Sequence, residues 1–240
     1  NIAQQSLTDA MSIEDYADVH IYGPPQPVNI FFLDYDPVQA AQMHCDKHVV
    51  KMILETAQLL STAWHELADE GLLKKVVYPA VSGAEAEERY RALIATGENY
   101  CSHWTLLGNR IYAPTHTNHR CAVWARTTGG NYDWLWRLGM ALLAEYTHRY
   151  GRQHASRGVM YALECVPPAL HKTMSEWTES PPAMPFEFRV KDETGRYYDS
   201  VASYRNYYLK YKQDLLRYTK RKHPDWMEVI NGKFVAKRVR

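Results

Sequence analysis

The sequence lacks a run of apolar residues long enough to cross a membrane. A membrane-spanning helix needs about 18 or more consecutive apolar residues, and no stretch of the 240-residue chain approaches that length. The chain also opens without the basic segment and the apolar segment that together form a secretory signal. We therefore expect a soluble, cytoplasmic protein without a membrane partner.

Cysteine is also scarce, and its placement argues against a zinc site made of thiolates. The 4 cysteines are far apart and include no Cys-x-x-Cys pair, the spacing that structural zinc sites use. The sequence likewise has no glycine-rich phosphate loop, no serine nucleophile elbow and no kinase signature. We expect reduced cysteines and no cofactor.

Charge is distributed unevenly along a chain whose net charge is only +1. Residues 1–36 contain 6 acidic residues and no Lys or Arg, whereas residues 203–240 contain 11 basic residues and 3 acidic ones. Pro24, Pro25 and Pro27 end the acidic segment with a stiff boundary. We predict an N-terminal extension (1–28), a helical catalytic-type domain (29–226) and a basic C-terminal tail (227–240).

Composition and periodicity predict a mainly α protein with a single domain around a long buried central helix. The apolar fraction of 46% and the charged fraction of 23% are ordinary for a globular chain. The central helix is expected from Pro37 to about Leu67 with Asp36 as its N-cap, after at most one short strand at 28–33. Other helices are expected at 84–107, 119–127, 131–150, 152–164 and 201–222, with a break at Gly129-Gly130 and with Asp199 or Ser200 as the cap of the last helix. A long ordered loop is expected over 165–198, and loops of that length are usually functional or disordered.

One polar stripe runs along the predicted central helix. Its members are spaced by three or four residues and fall within an arc of about 80°; they are His44, His48, Lys51, Glu55, Gln58 and Thr62. The rest of this helix is apolar on most of its circumference, which is typical of a helix buried within its domain. The stripe therefore faces either an internal cleft or a buried hydrogen-bond network, such as a Lys51–Glu55 pair.

A second polar group follows Pro114. It contains His116, Asn118, His119, Trp124 and Arg126, and Asn118 is placed to cap a helix that starts at His119. Arginines here suit a phosphate or carboxylate ligand. With His44 and His48, the two histidines of this group could meet a metal, although no metal-binding signature accompanies them, so we expect none.

Several stretches of this chain resemble a family of small phage-encoded helical proteins that are mostly uncharacterised. The matching stretches are NIFFLDYDP (29–37), HCDKHVVKMILETAQLLSTA (44–63), THTNHRCAVWAR (115–126), NYDWLW (131–136), EYTHRYGRQH (145–154), PPAMP (181–185) and DSVASYRNYY (199–208). More distantly, the chain resembles pyrimidine-dimer DNA glycosylases of the endonuclease V type. The shared pattern is Lys51 followed by Glu55, then a loop ending in Asn118-His119 with Trp124 five residues later.

The distant resemblance implies amine chemistry on DNA. In endonuclease V-type enzymes the N-terminal amine attacks the sugar C1′ of a damaged nucleotide, and a carboxylate moves protons. Here the corresponding start, Asn29, follows 28 other residues, so Lys51 is the candidate nucleophile or cation stabiliser and Glu55 the acid or base. The other candidate pocket residues are His44, His48, Gln58, His116, Asn118, His119, Trp124 and Arg126.

The first hypothesis is therefore a DNA-acting phage enzyme, either a base glycosylase and lyase or a base-modifying relative that acts on an extruded nucleotide. The basic C-terminal region is expected to contact the DNA backbone through Arg205, Lys220, Arg221 and Lys222. Two alternatives stay open. One is a metal-dependent hydrolase or small-molecule transferase that uses the His-rich cleft, and the other is a non-enzymatic binding or host-inhibitory protein.

Overall fold

The computed structural model describes residues 28–79 and 100–237. Within these ranges, the chain forms six α-helices and seven short strands arranged in three small antiparallel sheets. The prediction of a mainly α domain with at most one short strand is therefore wrong. No helix in the described part of the chain combines the length and the apolar character that a bilayer span requires.

The predicted central helix is two helices, α1 (Pro37–Met43) and α2 (Asp46–Leu67). Asp36 caps α1, since its carboxylate accepts from the amides of Val38 and Gln39, as the sequence predicted. The chain is extended at His44 and Cys45, between the two helices. No glycine or proline lies at this break. Because those residues are the usual sequence signals of a helix break, the periodic pattern predicted one continuous helix.

A buried arginine explains the break between α1 and α2. The guanidinium of Arg149 donates to the carbonyl oxygens of Gln42 at 3.0 Å and His44 at 2.8 Å. Carbonyl groups at a helix end need partners from outside the helix, and Arg149 supplies them. The same guanidinium contacts Asp46 at the start of α2 at 3.0 Å, so it binds both sides of the junction.

Helix α2 packs against two later helices, α3 (Arg120–Ala125) and α4 (Gly129–Tyr150). Thr128 caps α4 by accepting from the amide of Asn131, and Gly151 ends it with a φ of 68°. The expected break at Gly129-Gly130 is wrong, because both glycines lie inside the first turn of α4. A Cβ at Gly130 would lie 2.2 Å from the carbonyl oxygen of Glu176, so close packing of a later segment requires glycine there.

The chain after α2 forms a three-stranded sheet, and its second strand takes the place of the last part of the helix expected at 84–107. Strand β1 (Leu73–Pro79) pairs with β2 (Tyr100–Leu106), and β2 pairs with β3 (Asn109–Ile111), both antiparallel. The first part of the expected helix, residues 84–99, lies outside the described residues. The turn between β2 and β3 has positive φ at Leu107 and Gly108 (48° and 87°), the backbone of a two-residue hairpin turn.

The C-terminal third is more irregular than expected. Helix α5 (Arg157–Ala162) is followed by a long loop with turns of 3-10 helix and a small hairpin, β4 (Val190–Lys191) with β5 (Tyr198–Asp199). Asp199 caps α6 (Ser200–Tyr211) as predicted, but this helix ends 11 residues before the predicted end at 222. The expected basic tail begins instead with a hairpin, β6 (Met227–Ile230) with β7 (Lys233–Ala236).

The segment at 28–33 is buried without being a strand. Val28, Ile30, Phe32 and Leu33 are each at most 2% exposed and lie in the core, yet the segment pairs with no strand. Phe31 adopts a φ of 53°, a conformation that a bulky residue rarely takes and that concentrates at functional sites. Asn29 and Phe31 of this segment line a cleft.

Candidate functional site

The polar stripe of the sequence divides into two environments. His44 and His48 are 0% and 4% exposed. The Nδ1 of His44 lies 2.7 Å from the Ala40 carbonyl oxygen, and that of His48 lies 2.5 Å from the Tyr208 hydroxyl. Burial lowers the pKa of His44 to about 4 and that of His48 well below its ordinary value. Both are therefore neutral, packed side chains at physiological pH.

Lys51 and Glu55, one turn further along α2, form an ion pair at the edge of a cleft. The Lys51 Nζ lies 2.8 Å from the Glu55 Oε1, and Lys51 keeps 29% of its side-chain surface exposed. Glu55 is only 3% exposed. Its second oxygen, Oε2, accepts from the backbone amide of Asn29 at 2.8 Å. The carboxylate thus lies behind the cleft wall and connects α2 to the segment that carries Phe31.

Asn29 is held by a second set of hydrogen bonds. Its side-chain amide donates to the Ala183 carbonyl oxygen at 2.8 Å, and the Tyr204 hydroxyl donates to its Oδ1 at 2.8 Å. The Ala183 amide donates to the Tyr204 hydroxyl at 3.1 Å. These bonds fix three parts of the chain around the cleft: the segment after residue 28, the loop at 181–185 and helix α6.

The cleft has a volume of about 510 Å³ and a cationic and aromatic lining. Its lining residues come from five parts of the chain and are Asn29, Phe31, Lys51, His119, Arg120, Ala183, Met184, Pro185, Arg189, Tyr207, Tyr211 and Lys212. Four of them are Lys or Arg, and none is Asp or Glu. A cleft lined by one sign of charge concentrates ligands of the opposite sign, so an anionic ligand is favoured here.

The aromatic part of the lining is a stack that runs from α2 to the end of α6. The centroid of the Phe31 ring lies 4.2 Å from that of His48 and 6.2 Å from that of Tyr207. The Phe31 and Tyr207 rings are nearly parallel, with an interplanar angle of 11°. Tyr207 in turn stacks on Tyr211 with ring centroids 5.2 Å apart. The Tyr211 side chain is 60% exposed. Flat, partly exposed rings beside cations are the surfaces on which nucleobases stack.

Lys212 is one of the cleft residues that the sequence did not predict. Its Nζ lies 5.2 Å from the Tyr207 ring centroid and 5.0 Å from that of Tyr211, distances typical of cation–π contacts. Partial burial lowers the pKa of Lys212, and the nearby positive charge of Lys51 lowers it further. Lys212 forms the C-cap of α6, so its place in the cleft depends on α6 ending 11 residues earlier than its pattern suggested.

His119 is the one predicted histidine that lines the cleft. Its Nδ1 accepts from the Cys121 amide at 3.2 Å and so caps α3; Asn118, the predicted cap, is exposed beside it. An accepting Nδ1 leaves Nε2 to carry the proton of a neutral ring. Burial, followed by the nearby His116 and Arg120, lowers the pKa of His119. It is therefore a neutral hydrogen-bond donor for a bound ligand.

The other predicted pocket residues are not in the cleft lining. The Trp124 ring nitrogen donates to Thr178, and Arg126 donates to the Thr117 carbonyl oxygen at 2.7 Å. His116 contacts the Thr115 hydroxyl at 2.8 Å with a φ of 50°. Gln58 is half-buried on α2. The contacts of Arg126 and His116 hold the loop before α3, which carries His119 at its end.

The basic residues predicted to contact DNA lie apart from the cleft lining. Arg205 donates to the Leu33 carbonyl oxygen and to Asp34 at 2.9 Å each. Arg221 pairs with Glu145 at 2.5 Å, while Lys222 is exposed and pairs with Asp225. Lys220 is exposed with a φ of 54°. Arg205 and Arg221 thus stabilise the fold, and the cations of the cleft are a different set.

A second buried charged group, which we call the junction cluster, comprises Arg149, Glu145, Asp46 and Arg221. The Arg149 side chain is 0% exposed and contacts Glu145 at 3.1 Å and Asp46 at 3.0 Å. Asp46 also accepts from the amide and hydroxyl of Thr219. The cluster ties α1, α2, α4 and the C-terminal region together.

The charged and polar residues at the cleft form a separate group. We call Lys51, Glu55, Asn29 and Lys212 the cleft cluster.

The four histidines considered as metal ligands do not form such a site. Among residues 28–79 and 100–237, no three His, Cys, Asp or Glu side chains are grouped as metal ligands would be. His44 and His48 are buried behind Phe31 with the partners given above, whereas His119 lines the cleft.

Sequence signals for the missed cleft residues were present but weak. One stretch rich in tyrosine and lysine contains Tyr207, Tyr211 and Lys212. Its pattern predicts the middle of a long helix. Arg189 and Met184 lie in the proline-containing loop whose length alone suggested function. Nothing in the local sequence shows that these two segments meet α2.

Comparison with known proteins identifies no relative of this chain: no protein family, no curated protein and no solved structure matches it.

Proposed function

We propose that this protein is a DNA-acting enzyme that binds one nucleotide in the cleft and carries out base glycosylase and lyase chemistry or base modification there. The observation that carries the proposal is the cleft cluster: a buried carboxylate, Glu55, contacts Lys51 and the Asn29 amide directly behind a cationic wall. Amines beside a buried carboxylate suit attack on a sugar carbon coupled to proton transfer. A phage enzyme of this kind works on DNA in the cytoplasm of the infected host cell.

The lining of the cleft supports a nucleotide as the ligand. Lys51, Arg120, Arg189 and Lys212 supply positive charge for a phosphate, and the Tyr207–Tyr211 stack supplies a flat surface for a base. The exposed Phe186 lies beside Arg189, with the guanidinium carbon 5.7 Å from its ring centroid. Arginine and aromatic side chains that alternate in this way are typical of single-stranded nucleic-acid paths. An extruded nucleotide presents both groups that this lining favours.

The experiment is borohydride trapping of the full chain on DNA oligomers that carry a thymine dimer, an abasic site or a hydroxymethylated base. We expect a covalent protein–DNA adduct on at least one oligomer, detected as a slower band on a denaturing gel. Glu55→Gln should reduce its rate, whereas Lys222→Ala should not, because Lys222 is exposed and lies outside the cleft lining. If no oligomer is trapped, cleaved or altered in its nucleosides, the proposal is wrong.

The volume of the cleft favours a second candidate, a transferase that acts on a free nucleotide. About 510 Å³ is the size of an ordinary small-molecule pocket. Calorimetric titration with a nucleoside monophosphate and with a short single-stranded oligonucleotide separates the two candidates. Tighter binding of the oligonucleotide supports the DNA enzyme, and equal or tighter binding of the monophosphate supports the transferase.

A further inference from the structure

The cleft contains two lysines, and they differ in their partners. Lys51 is ion-paired to Glu55 at 2.8 Å. The Lys212 Nζ lies over the rings of Tyr207 and Tyr211. An amine bound to a carboxylate must give up that contact before it can attack a ligand carbon, whereas an amine over aromatic rings has no such contact to break. The two lysines are therefore suited to different tasks.

We propose that Lys212, and not Lys51, is the amine of this cleft that attacks an electrophilic ligand carbon, with Lys51 as its positive neighbour. This inference deepens the proposed function, on which it rests for the identity of the natural substrate. In the step, the Lys212 lone pair forms a bond to the aldehyde carbon C1′ of an opened abasic sugar. The carbonyl oxygen takes up protons and leaves as water, which gives a C=N bond that borohydride reduces to a secondary amine.

The charges around Lys212 support this assignment. Lys51 lies close enough to lower the pKa of Lys212, in addition to the effect of partial burial, whereas Glu55 and the thiol of Cys45 act in the opposite direction. Together these effects lower the pKa of Lys212. The other side chains that line the cleft include two cations, Arg120 and Arg189, and the neutral His119. A lysine beside another cation in a partly desolvated site is a recognised way to make a reactive amine. Tyr207 and Tyr211 add aromatic rings that hold the side chain in place.

The test uses an aldehyde probe that does not depend on the natural substrate. Pyridoxal 5′-phosphate combines an aldehyde with a phosphate for the cationic lining, and borohydride fixes the imine for peptide mapping by mass spectrometry. We expect Lys212 of the full chain to be labelled several-fold faster at pH 7 than Lys210. Lys210 is the matched control, because it is exposed on the same helix two residues earlier.

Two variants make the assignment decisive. Lys212→Arg keeps a cation over the tyrosine rings and should lose the label from the cleft. Lys51→Met should move the pH dependence of Lys212 labelling to higher pH, because it removes the positive neighbour. A purely structural role for Lys51 would lower the extent of labelling without moving that pH dependence. The inference is overturned if Lys51 carries the label, or if Lys212 reacts no faster than Lys210.

The outcomes also separate this inference from the proposed function. Labelling of Lys212 by the probe, with no DNA oligomer trapped, cleaved or altered in its nucleosides, would leave the inference standing and remove the proposed function. Trapping of abasic DNA through Lys51 would support the proposed function and overturn the inference. Circular dichroism of each variant, compared with the unmodified protein, verifies that the changes in labelling are not due to unfolding.

Discussion

The junction cluster and the cleft cluster begin from the same local pattern, a carboxylate and a basic residue one turn apart on a buried helix. In the junction cluster, Glu145 and Arg149 are surrounded by further partners, and the arginine side chain is fully buried. In the cleft cluster, Glu55 is equally buried, but Lys51 reaches a cleft and remains partly exposed. The comparison shows that the pattern alone does not separate a structural network from a candidate reactive site. What separates them is access from a cleft.

Removal of the central arginine of the junction cluster should have the largest effect. Arg149→Met leaves Glu145 and Asp46 without their shared cation and leaves helix-end carbonyl groups without a donor. We expect the free energy of unfolding to fall by about 3–5 kcal/mol, the range for breaking a buried ion pair, as measured by urea denaturation. Arg137→Met is the control: Arg137 makes the same i,i+4 pair with Asp133 but is 63% exposed, and surface pairs contribute about 0–1 kcal/mol. Similar losses in both variants would show that the junction cluster has no special role.

Neutralisation of the cleft carboxylate should affect chemistry more than stability. Glu55→Gln keeps the size of the side chain and an acceptor for the Asn29 amide. Loss of a positioned acid or base typically slows a reaction by about 100-fold or more, and we expect the DNA-trapping rate to fall by that factor. The urea midpoint should change less than in Arg149→Met. A variant that traps DNA at the normal rate would remove Glu55 from the mechanism.

The buried histidine next to the junction cluster should make stability depend on pH. The pKa of His44 is about 4 in the folded protein because of burial, whereas an unfolded histidine has a pKa of about 6.5. Between pH 4 and 6.5 the unfolded chain binds a proton at His44 and the folded protein does not. The free energy of unfolding is therefore highest above pH 6.5 and falls as the pH drops toward 4. The slope from one such group is about 1.4 kcal/mol per pH unit.

A histidine variant tests this dependence. In His44→Gln the plot of unfolding free energy against pH should be shallower by the contribution of one proton, about 1.4 kcal/mol per pH unit between pH 4 and 6.5. Equal slopes in His44→Gln and the unmodified protein would mean that His44 is not held neutral.

The smallest effect is expected at Lys222, which lies outside both clusters. Its pair with Asp225 is exposed on both sides, at 77% and 85%, and such pairs contribute little. Lys222→Ala should leave the thermal unfolding midpoint and the trapping rate unchanged. A clear drop in the trapping rate would indicate that DNA contacts the C-terminal region, as the sequence analysis first expected.

Local sequence rules predicted the beginnings of elements better than their ends. Asp36 and Asp199 cap α1 and α6 as expected, and Gly151 ends α4 in the left-handed conformation, because capping depends on neighbouring residues. The end of α6 and the break before α2 depend on distant groups such as Arg149. No periodic pattern within one helix contains that information.

Two hairpins differ in whether the sequence of their turn predicts them. Asn231-Gly232, between β6 and β7, has positive φ at both residues (51° and 75°), and Asn-Gly between apolar residues is a strong hairpin signal. The prediction of a basic tail rested on charge and did not include this turn. Leu107-Gly108 carries no such signal, since leucine rarely takes a positive φ, and the β2–β3 hairpin could not be expected from its turn.

Apart from His119, the candidate site was predictable only where it lies on one helix. The spacing of Lys51 and Glu55 placed both on one face of α2, and in the structure Lys51 lines the cleft with Glu55 directly behind it. The spacing also grouped His44 and His48 with them, although the break before α2 and the position of Phe31 place those rings in the core. Lys212, Tyr211 and Arg189 come to the cleft through tertiary contacts, which a single sequence does not specify.

The bond between the start of α2 and the C-terminal region has a consequence for synthesis on the ribosome. The Asp46 amide donates to the Arg217 carbonyl oxygen at 2.8 Å, and the Asp46 carboxylate accepts from Thr219. Asp46 emerges about 170 residues before these partners, and elongation at about 5–20 residues per second makes that interval roughly ten seconds or more. Until then Asp46 can contact Arg149 but not its C-terminal partners, so we expect the complete junction cluster to form only when almost the whole chain has been translated.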